Sequence, residues 1–339
     1  MSGTNQTRHS VVLKRRPAGE PSPADFEMVT EHLPEPRPGE VVTRTLWLSI
    51  DPYMRGRLRE EQTYAVAIQL GEVMTGESVG EVVASADPRF AVGDVVVGSR
   101  GWQTHSVTAA ERLVKVPAGV PSSTYLGVLG MPGATAYAGV TEIIKPQAGE
   151  TIVISAASGA VGSVAGQLAK RAGARVVGIA GGAEKCLWVQ DRLGFDDCVD
   201  HRTLDLAREL RTACPNGIDG YFENVGGAVQ AAVFDQLNRH ARVAMCGMVS
   251  QYNETVFPPG PNLGFVVGKS VLIQGFIVSD RPARLPEWRA LATPWVADGS
   301  LIYREDVIEG LDQAPAALAG ILGGQNFGKL LVRVGHDRG

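Results

Sequence analysis

The sequence predicts an α/β protein of two domains, an all-β first part followed by a doubly wound parallel sheet. The chain has 339 residues, of which 44% are hydrophobic, and this is enough for two packed cores. Up to about residue 125, short β-branched runs are separated by Pro and Gly turns. From about residue 131, short apolar runs alternate with segments of helical periodicity, which is typical of parallel strands joined by right-handed crossovers.

The first part predicts a partly open β-barrel. Turn signals at residues 36–39 (PRPG) and 90–94 (FAVGD) each introduce a strand. Residues 51–58 (DPYMRGRL) resemble no regular element, so we predict a loop there and regard it as a candidate site segment. The predicted strands cover residues 11–13, 40–49, 80–84, 95–99 and 112–116.

The second part is built around a strand at Thr151–Ser155, a glycine turn, and a helix over residues 161–170. In the turn, Ala157, Gly159 and Gly162 occupy the three special places of the pattern G-x-G-x-x-G. Gly159 lacks the Cβ that would keep a pyrophosphate from the backbone, and Gly162 allows close packing of helix and strand. A purely structural turn is the alternative. The order strand, turn, helix favours a dinucleotide site formed by Ser158, Gly159, Ala160, Val161 and Gly162.

Strands and helices continue to alternate after this unit. Residues 139–144 continue an earlier helix, and Ala314–Leu322 is predicted to be a helix in the tail. The last strand, residues 329–334, is expected to pair with the first domain, because a strand placed after the parallel sheet needs a partner. The other predicted strands are Arg175–Ala180, Asp197–Asp200, 217–224, 241–246 and 271–278, and the other predicted helices are 184–193, 204–213, 228–237 and 285–297.

The second strand of this sheet indicates the type of cofactor. An NAD site usually ends that strand with Asp or Glu, which binds the ribose hydroxyls. Here the strand runs into Gly181 and Gly182, which leaves room for a 2′-phosphate. Lys185 and Arg202 are the candidate partners of that phosphate, and a solvated surface position is the alternative for each. The sequence therefore predicts NADPH rather than NADH.

Composition argues against several other classes of protein. The net charge is −4 with both signs interspersed, which argues against a nucleic-acid or membrane surface as the main partner. No apolar run of about 18 residues occurs, and the N-terminus lacks the apolar region of a signal peptide. The four cysteines are scattered without a C-x-x-C pair. We therefore expect reduced thiols, no structural zinc and a cytoplasmic protein.

Five ordered motifs resemble the zinc-independent medium-chain dehydrogenase/reductases, and among them the prostaglandin reductase, alkenal double-bond reductase and curcumin reductase branch. The motifs are DPYMRGR (51–57), GMPGATAYAG (130–139), AASGAVGSVAGQLAK (156–170), FENVGG (222–227) and CGMVSQYN (246–253). The resemblance implies a GroES-like β-barrel domain at residues 1–127, a Rossmann domain at 128–303, a return to the first domain at 304–339, and a cleft between the domains. It also implies an NADP-dependent oxidoreductase that reduces the C=C bond of enals and enones (EC 1.3.1-like).

The residues agree with the absence of a catalytic metal in that branch. Zinc-dependent relatives place a cysteine where this chain has residues 49–51 (SID), and Gly-His-Glu where it has residues 76–78 (GES). Without a Lewis acid, the substrate carbonyl must be polarised by hydrogen bonds. Tyr252 is the first candidate donor, because it follows the fifth strand at the carboxyl edge of the sheet. The alternatives are proton delivery by cofactor hydroxyls and water, and an aromatic side chain that only packs at the domain boundary.

The resemblance places further residues at the site. It places Tyr252 near the nicotinamide and Tyr53 near the substrate. His201 stands where many relatives have a tyrosine at the adenosine ribose, so affinity for the 2′-phosphate is expected to depend on pH through the imidazole charge. The remaining positions that match cofactor-lining positions of the family are Thr135, Asn224, Cys246, Gly247, Phe276, Ile277, Val278, Asn326 and Lys329. Gly181, at the end of the second strand, is also predicted to bind the cofactor.

Two features concern the substrate and the assembly. Residues 253–267, rich in Pro and Gly, are predicted to form a lid that sets substrate size. The hydrophobic sixth strand would be an unpaired sheet edge, and the resemblance implies that it pairs with its copy in a homodimer. Two alternative functions stay open at this stage: an NADPH quinone oxidoreductase, and a non-catalytic NADPH-binding protein that binds RNA.

Overall fold

A computed structural model of the chain describes residues 7–60 and 66–336. These residues form two compact units. The first contains the described residues up to Leu126, together with Glu305–Asn326 and those from Leu330 onward, and the second contains Gly127–Arg304 and Phe327–Lys329.

Strands and helices alternate along the second unit, as the sequence periodicity indicates. The strands are β1 (Thr7–Leu13), β2 (Phe26–His32), β3 (Glu40–Ser49), β4 (Glu77–Ser85), β5 (Val95–Ser99), β6 (His105–Ala109), β7 (Val114–Lys115), β8 (Thr151–Ser155), β9 (Arg175–Ala180), β10 (Asp197–Asp200), β11 (Ile218–Glu223), β12 (Leu237–Met245), β13 (Leu272–Gly275), β14 (Glu305–Glu309) and β15 (Lys329–Arg333). The helices are α1 (Met54–Arg57), α2 (Met131–Ala138), α3 (Gly162–Arg171), α4 (Ala183–Asp191), α5 (Leu206–Ala213), α6 (Gly227–Phe234), α7 (Gly264–Lys269), α8 (Arg284–Ala297) and α9 (Ala314–Leu322).

The first unit is built on a seven-stranded sheet in the order β14-β15-β3-β4-β5-β7, with β6 paired to β3, and on the separate pair β1-β2. The prediction missed β2, β6 and β14. Most of β2 is exposed, so it lacks the apolar alternation that marks a half-buried strand. The predicted strand at 112–116 is reduced to Val114–Lys115, because a helical turn at Ala110–Arg112 precedes it.

The predicted loop at residues 51–58 was wrong in part, because it contains α1. The buried side chains of Met54 and Leu58 are four residues apart and face the same side, so they anchor one helical turn on the core. The sequence did not indicate this helix because Gly56 lies within it and glycine disfavours a helix. The turn holds the segment that carries Tyr53 against the core of the first unit.

The second unit confirms the predicted doubly wound parallel sheet. Its six strands lie in the order β10-β9-β8-β11-β12-β13, and every pairing between neighbours is parallel. Each residue of the central strand β8 is buried, as its β-branched run predicts. Chain order reverses between β8 and β11, and in open α/β sheets ligands bind at the carboxyl edge near such a reversal.

Several boundaries in this unit differ from the prediction. The predicted helix at 228–237 ends at Phe234, and β12 starts at Leu237 rather than 241, because a register shift around His240, whose φ is +65°, interrupts the apolar pattern. The sixth strand is only Leu272–Gly275, and Val278–Asp280 forms a helical turn instead. Helix α7 begins at Gly264 within the predicted lid and ends at Lys269, beyond it.

The C-terminal tail divides between the two units. Strand β15 pairs antiparallel with β3, with Leu331 opposite Ser49, so the last strand joins the sheet of the first unit. The three residues before it, Phe327–Lys329, group with the second unit. No helix in residues 7–60 or 66–336 is both long and apolar enough to cross a bilayer.

Candidate active site

The glycine turn between β8 and α3 is held in shape by backbone hydrogen bonds. The N–H of Ala157 donates to Ile179 O (3.0 Å) and that of Gly159 donates to Ala156 O (3.0 Å). A Cβ added at Gly162 would lie 2.3 Å from Ala156 O, whereas one at Gly159 would lie 3.2 Å from the same atom. The turn itself therefore requires glycine at 162, while glycine at 159 leaves a partly exposed stretch of backbone open to approach.

The tail segment lies against this turn. The hydroxyl of Ser158 donates to the carbonyl of Phe327 (2.9 Å), and the guanidinium of Arg304 stacks on the Phe327 ring at 3.6 Å from its centroid. The side chain of Lys329 is buried, and Asn326, next to Phe327 in the chain, is partly buried. The predicted residue Ser158 thus contacts Phe327, which lies in the chain between the predicted tail residues Asn326 and Lys329.

The turn after β9 is braced by a carboxylate of the neighbouring strand. Asp200 Oδ1 accepts the backbone N–H groups of Gly182 (2.9 Å) and Arg202 (3.0 Å), and Gly182 has a φ of +101°. A Cβ at Gly181 would lie 2.7 Å from Nε2 of His201 and 3.5 Å from Nε of Arg202. Glycine at 181 therefore makes room for the imidazole of His201, and the Arg202 guanidinium lies close to the same turn.

Positive charges gather around the same turn. Desolvation lowers the pKa of His201 below its ordinary value of 6.5; Asp200 opposes this shift, while the charges of Arg202 and Lys185 add to it. Burial would raise the pKa of Asp200, but the hydrogen bonds from Arg202 and Gly182 and the nearby positive charges bring it below its usual value. The lowered pKa favours the neutral imidazole, so the positive charges beside this turn are those of Lys185 and Arg202.

The ends of β8, β11 and β12 meet at the carboxyl edge of the sheet. Asn224 donates its backbone N–H to Ser155 Oγ and its side-chain amide to Ser155 O, both at 2.8 Å. The N–H groups of Cys246 and Gly247 donate to Glu223 O at 2.9 and 3.1 Å. The structure thus brings together the residues predicted at the fourth and fifth strand ends, as the geometry of a parallel sheet requires.

Tyr252 lies at the end of a short helical turn that is fixed to the loop after β11. The N–H of Val249 donates to Asn224 O (3.1 Å), and that of Met248 donates to the phenol oxygen of Tyr252 (3.4 Å). The same oxygen lies 2.9 Å from the position of a Cβ at Gly247, so a side chain at 247 would displace the phenol. Tyr252 and Gly247, both predicted site residues, therefore depend on each other for their placement.

The aromatic side chain that follows β13 packs under the same edge. Phe276 meets Phe222 edge to face at 6.1 Å, and its ring tip lies 2.9 Å from the position of a Cβ at Gly139. Ile277 and Val278 are partly buried and lie beyond the strand, not within it as predicted. Glycine at 139 is needed for this aromatic packing.

Two predicted positions show different surroundings. The hydroxyl of Thr135 donates to the carbonyl of Met131 one turn earlier (2.8 Å) and keeps only its acceptor capacity for a ligand. Tyr53 belongs to the first unit, where its ring packs against the core and the guanidinium of Arg57 lies 5.9 Å from the ring centroid.

All four cysteines are free thiols, and among residues 7–60 and 66–336 no group of three His, Cys, Asp or Glu side chains could hold a metal ion.

The sequence reasoning missed Glu223. Its side chain is fully buried, and Oε1 accepts hydrogen bonds from the hydroxyl of Tyr221 (2.8 Å) and from the N–H groups of Val225 (2.7 Å) and Gly226 (3.0 Å). The sequence does contain a signal for this contact. Glu223 ends an apolar strand and lies two residues after Tyr221, so the two side chains share one face of the sheet.

Comparison with known proteins matches both parts of the chain. Residues 9–116 match the family model described as the N-terminal domain of oxidoreductase, and residues 160–297 match the model described as zinc-binding dehydrogenase. The chain is 44% identical to the NADPH-dependent curcumin reductase of Escherichia coli over 99% of its length and 100% of that protein. It is 42% identical to the NADP⁺-dependent 2-alkenal reductase of Nicotiana tabacum over 96% of its length and 97% of that protein.

A solved structure gives the same result. The crystal structure of CurA from Vibrio vulnificus in complex with NADPH has a TM-score of 0.92 and 43% sequence identity, and the match covers 97% of this chain and 100% of that one. Identity above 40% over nearly the whole chain, together with the two family models and the sheet order, confirms the resemblance drawn from the five motifs. The chain belongs to the medium-chain dehydrogenase/reductase family, in its zinc-independent branch of curcumin and alkenal reductases.

Proposed function

We propose that this chain is an NADPH-dependent reductase of the C=C bond of α,β-unsaturated aldehydes and ketones. The proposal rests on the carboxyl edge of the parallel sheet in the second unit. There, a glycine turn suited to a pyrophosphate and basic side chains suited to a 2′-phosphate follow neighbouring strands. The functions named for the curcumin and alkenal reductases that it resembles support the same reaction.

The residues fit the cofactor. A side chain at 162 would collide with the turn, and glycine at 159 leaves its backbone open, as close approach of a pyrophosphate requires. No carboxylate follows β9 directly, and Lys185 and Arg202 supply the charge that a 2′-phosphate needs. We propose that the full set predicted from the sequence lines the dinucleotide: Thr135, Ser158, Gly159, Ala160, Val161, Gly162, Gly181, Lys185, His201, Arg202, Asn224, Cys246, Gly247, Tyr252, Phe276, Ile277, Val278, Asn326 and Lys329.

The bound cofactor supplies a hydride. An enone that gains a hydride at its β carbon develops negative charge on its carbonyl oxygen, so a hydrogen-bond donor placed there lowers the barrier. We assign this donor role to the phenol of Tyr252, which the turn from Met248 to Gln251 holds beside Gly247. Tyr53 is proposed to contact the substrate from the first unit.

The Tyr252→Phe variant is expected to reduce kcat for enones by about 10- to 100-fold and to leave NADPH affinity within about twofold, because it removes one donor to the developing charge. Steady-state kinetics and fluorescence titration with NADPH measure the two effects. Tyr137→Phe is the control, since its hydroxyl donates to Glu287 instead. Equal kcat in Tyr252→Phe and wild type would assign the donor role to cofactor hydroxyls and water.

The reaction is tested by following NADPH absorbance with trans-2-alkenals, 4-phenyl-3-buten-2-one, a curcuminoid and a benzoquinone. We expect turnover of the enals and enones with product saturated at the C=C bond. Turnover of the quinone alone would indicate a quinone oxidoreductase. Tight NADPH binding without turnover of any acceptor would indicate a binding protein.

We also propose a homodimer formed through β13. This strand has β12 as its neighbour on one side, and Leu272, Gln274 and Gly275 are exposed along it. Such an edge offers unpaired backbone groups to a second copy of the chain. Size-exclusion chromatography with light scattering is expected to give twice the chain mass at micromolar concentration, and Gln274→Pro is expected to shift it toward the monomer. A wild-type monomer under these conditions would refute the dimer.

Three further expectations stay predictions. They are the functional division at residues 127/128 and 303/304, the role of residues 253–267 as a lid, and the cytoplasmic location. Val256 and Phe257 are exposed in that segment, which suits a surface that meets an apolar substrate.

A further inference from the structure

Glu223 is a buried carboxylate at the edge where the proposed reaction takes place. None of its surface is exposed, and its hydrogen-bond donors are neutral groups. Besides Tyr221, Val225 and Gly226, the hydroxyl of Ser155 reaches Oε1 at 3.2 Å. The other oxygen, Oε2, has no hydrogen-bond partner in the part of the chain that the structure describes. A fully buried carboxyl group with an unpartnered oxygen is costly, so its presence calls for a role.

Glu223 forms hydrogen bonds with the loops after β11 and β12, which contain residues of the proposed site. Its carboxylate fixes the backbone of residues 225 and 226, and its own carbonyl accepts the N–H groups of Cys246 and Gly247. The braced loop in turn accepts, through Asn224 O, the N–H of Val249 in the turn that ends at Tyr252. Removal of the carboxylate would therefore loosen both loops at once.

Glu223 contributes to the raised pKa values of two neighbouring groups. Burial raises the pKa of the Cys246 thiol to about 12, and the Glu223 charge adds to that effect. Burial likewise raises the pKa of the Tyr221 phenol, and Glu223 again contributes. The phenol of Tyr221 therefore stays protonated at neutral pH.

We propose that Glu223 is a positioning residue whose carboxylate fixes the loops that carry Asn224 and Tyr252, and whose uncompensated charge at this sheet edge favours the cationic oxidised nicotinamide over the neutral reduced one. A negative charge stabilises a nearby positive ring and leaves a neutral ring almost unaffected. Such a residue promotes hydride donation. The inference rests on the proposed function, because it assumes that the nicotinamide lies at this edge.

The test is the ratio of the dissociation constants for NADP⁺ and NADPH, measured by titration of protein and cofactor fluorescence without any substrate. Glu223→Gln keeps an acceptor for the four donors and removes the charge, so we expect the ratio to rise about three- to tenfold. Tyr221→Phe removes one donor and keeps the charge, and its ratio is expected to stay within twofold of wild type. An unchanged ratio in a folded Glu223→Gln protein overturns the charge role.

Two additions keep the test decisive. Glu223→Asp keeps the charge on a shorter side chain; we expect it to weaken the binding of both nucleotides and leave their ratio within twofold of wild type, and a changed ratio would overturn the inference even if Glu223→Gln does not fold. Failure of the wild-type protein to bind NADPH would refute the proposed cofactor itself. A wild-type protein that reduces enones, combined with an unchanged ratio in Glu223→Gln, would refute only the role of Glu223.

Discussion

The Gly162→Ala variant is expected to bind NADPH at least about 100-fold more weakly than the wild type and to unfold about 5 °C lower. The reason is steric. The added Cβ would lie 2.3 Å from Ala156 O, 2.9 Å from the carbonyl carbon of Ala156 and 3.0 Å from the Cα of Ala157, all of which are backbone atoms that cannot rotate away. The φ of Ala156 is already +50°, so the turn has little freedom to adjust.

The steric clash is also expected to weaken NADPH binding, because the backbone atoms that must move form the proposed anion site. Movement of Ala156 breaks the hydrogen bonds from Gly159 to Ala156 and from Ala157 to Ile179, which orient the turn. Differential scanning fluorimetry and NADPH titration measure the two losses. Gly268→Ala on α7 is the matched control, since nothing lies within 4 Å of its added Cβ; NADPH affinity should stay at the wild-type value and the melting temperature should not fall.

Gly159→Ala separates stability from binding in the same turn. Its Cβ would lie 3.2 Å from Ala156 O, a contact that a small shift relieves, so the melting temperature should fall by less than about 2 °C. NADPH affinity should nevertheless drop, because the methyl group occupies the partly exposed side that a pyrophosphate must approach. Wild-type affinity in Gly162→Ala would show that this turn does not bind the dinucleotide.

Local patterns predicted the parts of the fold that depend on neighbouring residues. The run at Thr151–Ser155, the glycine turn and the following helix were found because β-branched residues, glycines and helical spacing act over a few positions. The parallel order of the sheet followed from regular alternation. Edge elements such as β2 were missed, because their exposed side chains carry no such pattern.

Contacts between distant parts of the chain could not be predicted in the same way. Ser158 and Phe327 are 169 residues apart, and nothing in either segment indicates that the hydroxyl donates to that carbonyl. Glu223 was missed for a related reason, since a charged residue at a strand end is usually solvated, and its burial depends on four donors from two strand ends. Family resemblance supplied site positions, such as Phe276, that periodicity does not mark.

The Lys185→Ala variant is expected to raise the dissociation constant for NADPH about 10- to 100-fold and to leave that for NADH within about twofold. Loss of a hydrogen bond to a charged group costs about 1.5–3 kcal/mol, and only NADPH carries the 2′-phosphate. The charge of Lys185 reaches His201 beside the Gly181–Gly182 turn, which places it in the same electrostatic neighbourhood as Arg202. Titration of both nucleotides at low and moderate salt measures the preference.

Arg192→Ala is the control that separates local from general electrostatics. Arg192 follows the last residue of the same helix α4, is exposed, and its loss changes the net charge of the protein by the same amount. If Lys185 contacts the phosphate, Arg192→Ala keeps the wild-type preference and Arg202→Ala lowers it. If both nucleotides weaken equally in Lys185→Ala, the residue supports helix α4 rather than the 2′-phosphate, and the preference for NADPH must come from Arg202 and the space left by the two glycines.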